Sequence, residues 1–237
     1  MPAPIVNCTN VDKADVVLLA ANYDRTSSGG KGADKGPAVI KRCLDTQIEF
    51  RSRWTERVPA DELKIAYREL ERLDRLEPLQ MVQEVWSAYR EHREKKQFVV
   101  LLGGEHTVTL GALSAFTAEH GSKTVTVVQI DAHFDLRDTD ADYNDTPWGK
   151  FAHSCVMRRA VEMGYKLVSV GVRAYSKDEL DFALAHRDTI KFAEWGRQRW
   201  ETNPPESLVN WIETDEVYLT VDVDGFDPAH MPATGRP

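Results

Sequence analysis

An apolar run, Val127-Val128-Gln129-Ile130, leads into Asp131-Ala132-His133-Phe134-Asp135, where a metal-capable side chain recurs at every second residue. In extended backbone, residues i, i+2 and i+4 share a face. Two carboxylates and an imidazole on one face make half of a divalent-metal site. A second run, Glu216 to Val221, breaks into Asp222-Val223-Asp224, and two carboxylates at one strand end repel unless a cation holds them. A third, Phe98 to Leu102, meets Gly103-Gly104-Glu105-His106. If these strands share one parallel sheet, their carboxyl ends open on one crevice. Six donors would then converge, His106, Asp131, His133, Asp135, Asp222 and Asp224, enough for two metal ions. Mn, Fe, Co, Ni and Zn all accept such donors.

The elements that must position these donors alternate along the chain. Asp15 to Ala21 is the first buried strand. A glycine-dense loop, Ser27 to Gly36, follows, then a helix with Pro37 in its first turn and Ile40 and Leu44 on it. The loop lacks the spacing of a phosphate-binding P-loop, and reads as a connector or as a wall at the mouth of a site. Gln47 to Leu76 fits neither period for long, and Lys64 to Leu70 suits helix or strand equally. Leu79, Val82, Val85, Trp86 and Tyr89 predict a helix over 79–96 whose aromatic residues pack in the core. Strand 98–102, helix 108–120 and strand 124–130 have the length of a parallel crossover. Beyond a long polar loop, helical spacing resumes from Met157 to Met163. Leu167 to Val172 is a strand, Ser176 and Glu179 form a capping box for a helix reaching His186, and Ile190 to Phe192 is a short strand. A helix from Pro205 to Ile212 precedes the strand that delivers Asp222.

His153 lies just before the helix at Met157. It reads either as a residue of the helix start or as a proton carrier near neutral pH. A thiol-nucleophile role for Cys155 is disfavoured, because a dinuclear site makes its own nucleophile. Asp227, followed by Pro228, reads as a turn cap, and His92, His120, His186 and His230 read as packed or solvated.

Length and 42% hydrophobic content suit one α/β domain over 1–237. A formal net charge of −8 with scattered basic residues argues against a nucleic-acid partner and favours a cationic substrate. Three cysteines without paired spacing, Cys8, Cys43 and Cys155, suggest reduced thiols. Neither a membrane-spanning run nor a signal peptide is evident, so the expected location is the cytoplasm with no membrane partner.

Gly103-Gly104-Glu105-His106, Asp131-Ala132-His133-Phe134-Asp135 and Thr220-Val221-Asp222-Val223-Asp224-Gly225-Phe226-Asp227-Pro228 together resemble the three metal signatures of the ureohydrolases, the arginases and agmatinases. The resemblance implies an arginase-like three-layer α/β/α fold around a central, mostly parallel sheet, and a pair of Mn²⁺ ions. One ion would take His106 and Asp135 and the other His133 and Asp224, with Asp131 and Asp222 bridging. Two dications, four carboxylates and one hydroxide sum to about minus one, which favours a guanidinium that keeps its charge near pH 7. Asp135 would orient the attacking hydroxide and His153 would protonate the leaving amine. The family also implies a homo-oligomer, a trimer or hexamer.

Arginases commonly carry an asparagine two residues after the last aspartate of the Asp-Ala-His triplet, where this chain has Arg137, so the resemblance disfavours arginine as substrate. The stretch around His153-Ser154-Cys155 is closer to agmatinases, which points to agmatine yielding putrescine and urea. A guanidino acid such as guanidinobutyrate is the runner-up, its carboxylate met by Arg137. Glu105 replaces the aspartate common in the first signature and could support a ligand as an outer partner. Met231 to Pro237 resembles a family segment that normally continues. The fold is therefore expected to be C-terminally incomplete, without the carboxylate that grips the guanidinium. An inactive metal-binding protein is the corresponding alternative from another class.

Overall fold

The computed structural model describes residues 4–46, 51–141, 148–196 and 208–234. The chain groups into two compact units. The first comprises Met1–Ser27 with Lys31–Ala115, and the second Ser28–Gly30 with Phe116–Pro237.

In the first unit, β1 (Val16–Ala21) lies between β2 (Ile65–Glu69) and β3 (Phe98–Gly103), all parallel. Val17 to Ala21 are all buried, as expected for a central parallel strand that is apolar on both faces. Strand β2 settles the ambiguous 64–70 stretch, because β1 supplies it with a parallel ladder from Val16↔Ile65 onward. The helix α1 (Gly36–Thr46) carries Pro37 in its first turn, as predicted. A short helix, α2 (Pro59–Glu62), precedes β2.

The longest helix, α3 (Pro78–Glu94), starts with Pro78 at N1 and a reciprocal Glu77–Gln80 capping box. Its buried stripe is Met81, Val82, Val85, Ala88, Tyr89 and His92. Leu79 was expected in that stripe but is 46% exposed, because it lies one residue off the 78, 81/82, 85 row. Tyr89 packs in the core, whereas Trp86 is half-buried with the Arg90 guanidinium 5.4 Å from its ring centroid. His92 has the packed role expected of it. Arg68 donates to its Nε2 at 2.8 Å, so Nδ1 donates to Gln97 at 2.7 Å, and burial pushes its pKa down.

The helix α4 (Thr109–His120) contains the boundary between the units. In the second unit β4 (Val125–Ile130), β5 (Lys166–Val172), β6 (Ile190–Glu194) and β7 (Glu216–Val221) form a parallel sheet in the order β6-β5-β4-β7. The α/β architecture with parallel strands is thus as predicted, its ladders falling in one three-stranded and one four-stranded sheet. The unit also holds α5 (Val156–Glu162) and α6 (Lys177–Ala185), and α6 opens on the predicted Ser176–Glu179 capping box. The helix predicted from Pro205 begins outside the described residues. Among the described residues, no helix is long and apolar enough to cross a membrane.

Candidate metal centre

The β4–β7 ladder decides which side chains meet. Ile130 is in register with Val221, so Asp131 and Asp222 leave adjacent strands at the same level, and the Asp222 amide donates to the Ile130 carbonyl at 2.8 Å. Asp131 is 1% exposed. Its Oδ1 accepts the His133 amide at 2.7 Å and its Oδ2 accepts the Gln129 side-chain amide at 2.8 Å. The Gln129 carbonyl oxygen is held in turn by the Ser169 hydroxyl at 2.8 Å. A buried chain, Ser169–Gln129–Asp131, therefore fixes this carboxylate from beneath.

Asp224 is pinned at both ends. Its Oδ1 accepts the Ala132 amide at 3.1 Å, and its own amide donates to Asp222 Oδ1 at 3.1 Å. Asp131, His133 and Asp224 consequently bring one potential ligand atom each to within 4.8 Å of the others. His133 Nδ1 lies 3.1 Å from Asp224 Oδ2 and 3.5 Å from Asp131 Oδ1. These carboxylates, Asp131 foremost and then Asp224, raise the His133 pKa to about 10 against the opposing effect of burial. Asp131 and Asp224 act through hydrogen bonds to the ring, and the negative charges of Asp135 and Asp224 add to them. A cluster that holds a proton this tightly is one that favours a cation, and imidazole with carboxylates is a donor set for a divalent transition ion. The residues present fit such an ion.

Asp135 sits at φ +53°, a left-handed conformation that costs a non-glycine residue of order 1 kcal/mol. Its carbonyl accepts the Met157 and Arg158 amides at 3.0 and 3.1 Å, closing the start of α5. It is 7% exposed, and its charge is among those that hold the His133 proton. His153 opens the 3-10 turn before α5, with Nε2 3.0 Å from the Ser28 hydroxyl of the glycine-rich loop. The neighbouring Cys155 is buried and its thiol is pushed up to about 11, which agrees with an inert side chain. Asp227 Oδ1 accepts the Ala229 amide at 2.8 Å, the turn-capping role expected.

In the first unit, His106 follows the end of β3 and is 9% exposed. Glu105 caps its 3-10 turn by accepting the Thr107 amide at 2.7 Å and the Thr26 hydroxyl at 2.8 Å. Gly104 is required there, since a Cβ would lie 2.0 Å from the Tyr23 carbonyl oxygen. Of the residues singled out from sequence, Asp131, His133 and Asp224 are brought together outright, and Asp135 and Asp222 belong to the same two loops. Gln129, Ser169, Ser28 and Arg173 were not anticipated. Gln129 did carry a signal, as the polar residue within the Val127 to Ile130 run.

Fold and donor set together define a class, and the chain belongs to the Arginase family, whose profile matches residues 14–237. It is an agmatinase-like hydrolase of that family. The N(1)-aminopropylagmatine ureohydrolase of Synechocystis sp. is 33% identical, with 97% of this chain aligned to 73% of that protein. The agmatine ureohydrolase of Thermoplasma volcanium is 26% identical with a TM-score of 0.79, covering 100% of this chain and 76% of that one. A formiminoglutamase of Trypanosoma cruzi solved with Mn²⁺ shares the fold at 16% identity, TM-score 0.80, over 98% of this chain and 78% of that one.

Proposed function

We propose that the protein hydrolyses a linear guanidino compound to urea and an amine, with agmatine, yielding putrescine, as the leading substrate. The observation that carries this reading is the Asp131–His133–Asp224 cluster, whose carboxylates already retain a cation in the form of the His133 proton. As the family resemblance implies, His133 and Asp224 would hold one Mn²⁺, His106 and Asp135 the other, and Asp131 and Asp222 would be shared. Such an ion pair, when bound, supplies activated water at neutral pH.

The remaining steps fall to the chain's own groups. The surplus of carboxylates attracts the guanidinium, which stays charged at neutral pH. Asp135, whose carbonyl accepts two amides at the start of α5, orients the attacking water. His153 delivers a proton to the departing amine nitrogen, which leaves as a neutral amine. Ser28, within hydrogen-bonding distance of His153 Nε2, holds the imidazole in place for that transfer. N(1)-aminopropylagmatine is the second substrate to weigh, given the Synechocystis relative. It presents the same guanidinium on a longer cationic chain. A trimeric or hexameric assembly belongs to the same proposal.

The test is urea release by Mn²⁺-loaded protein offered agmatine, N(1)-aminopropylagmatine, guanidinobutyrate and arginine in separate reactions, with the bound metal counted in parallel. Agmatine is expected to give the highest kcat/KM. A preference for guanidinobutyrate would transfer the reading to a guanidino acid, and two bound ions without urea from any substrate would refute the proposed activity.

A further inference from the structure

Two loops carry the clustered ligands, 131–135 and 222–225, and their sequence separation is large. Something must hold them at a fixed spacing, and the exit of β5 does so from inside the same unit. Gly171, at φ +94°, lets this strand run so close to both loops that a Cβ there would lie 3.2 Å from the Asp131 carbonyl oxygen and 3.3 Å from that of Gly225. The β5–β6 register shifts at this point, between Val170 and Val172. The Asp131 amide donates to the Val170 carbonyl at 3.0 Å.

Arg173 then grips both loops. Its amide and that of Ala174 donate to the Ala132 carbonyl at 2.8 and 2.9 Å, and Ala174 forms a parallel bridge with His133. Its guanidinium donates to the main-chain carbonyl of Asp224 at 2.6 Å. The side chain thus reaches the backbone of one ligand while the main chain holds the loop bearing another, and those two ligands, His133 and Asp224, are 3.1 Å apart. A bond from a permanently charged guanidinium to a half-buried carbonyl is stronger than a neutral one. It also places a positive group behind a carboxylate-rich cluster without occupying a ligand position.

We propose that Arg173 is a positioning residue for the metal centre, fixing the backbone of Asp224 so that the two loops present His133 and Asp224 at one separation. The idea rests on the metal-centre reading above. The test uses the full chain loaded with Co²⁺, whose visible spectrum reports ligand geometry, together with calorimetric affinity and the melting temperature of the metal-free protein. Arg173→Met keeps the stem and removes the donors. It is expected to weaken Co²⁺ binding about 10–100-fold and shift the spectrum, with the metal-free melting temperature little changed. Arg173→Lys, which restores a charged donor, is expected to recover part of the affinity. If the Met variant does not fold, Arg173→Leu, which also lacks donors, serves in its place with the same expectation. Unaltered affinity and spectrum in the folded donor-less variant would overturn the proposal, as would an affinity loss that only follows a loss of melting temperature. Absence of Co²⁺ binding by the unmutated protein would instead remove the metal-centre reading on which it stands.

Discussion

The sharpest consequence of the cluster geometry concerns the proton on His133. In the metal-free protein Asp131 and Asp224 raise its pKa to about 10, so the ring is protonated throughout the neutral range. A metal taking this imidazole must first displace that proton, which at pH 7 weakens apparent affinity by about a thousandfold and at pH 9 by about tenfold. Affinity from this source should therefore rise about tenfold per pH unit and level off near pH 10. Stability of the metal-free protein runs the other way. A folded-state pKa raised above the unfolded value of 6.5 contributes stability that is fully present below pH 6.5 and is lost as pH rises through about 10. Histidine-selective NMR of the metal-free protein measures the group directly, with His133→Asn assigning the signal. The expected midpoint is near 10, and Asp131→Asn should lower it more than Asp224→Asn. A midpoint near 6.5 would show that the carboxylates do not hold the ring, and the electrostatic argument for a cation site would fail with it.

Three substitutions probe the other parts of the site. Asp131→Ala is expected to abolish both dinuclear metal binding and turnover; two ions per chain by metal analysis would contradict its proposed bridging role. His153→Ala should retain full metal content while urea release falls roughly 10²–10⁴-fold, the usual worth of a positioned acid or base, and an unchanged rate would remove it from the mechanism. Gly104→Ala sets a Cβ 2.0 Å from the Tyr23 carbonyl oxygen and must move backbone. Overpacking of this kind costs about 1–3 kcal/mol, and each kcal/mol lowers the melting temperature of a chain this size by about 2–4 °C. A melting temperature equal to wild type would show that the β3 exit is slack.

The candidate donors at strand ends were legible because two independent patterns coincide at them: an apolar run stops, and carboxylates or imidazoles recur at a spacing of two. That pattern located Asp131, His133, Asp135, Asp222 and Asp224, and the three-part resemblance ordered them. Strand β2 was not legible, since Lys64 to Leu70 satisfies either period and only its ladder with β1 decides the matter. Leu79 failed for a related reason: a helical stripe read from spacing alone admits two neighbouring rows, and the buried one runs through Pro78 instead. Arg173 and Ser169 were hidden for a deeper reason. Their partners, Asp224 and Gln129, lie 51 and 40 residues away, and for Ser169 it is the register Gln129↔Ser169 of the assembled sheet that makes the contact. Sequence spacing reports which side chains share one strand's face, so it finds ligands that a single loop supplies. Direct bonds between two such loops are supplemented by groups on a third strand, here the exit of β5. A polar residue at a parallel strand's end next to a ligand-bearing strand is therefore worth testing as a positioning residue even where no motif marks it.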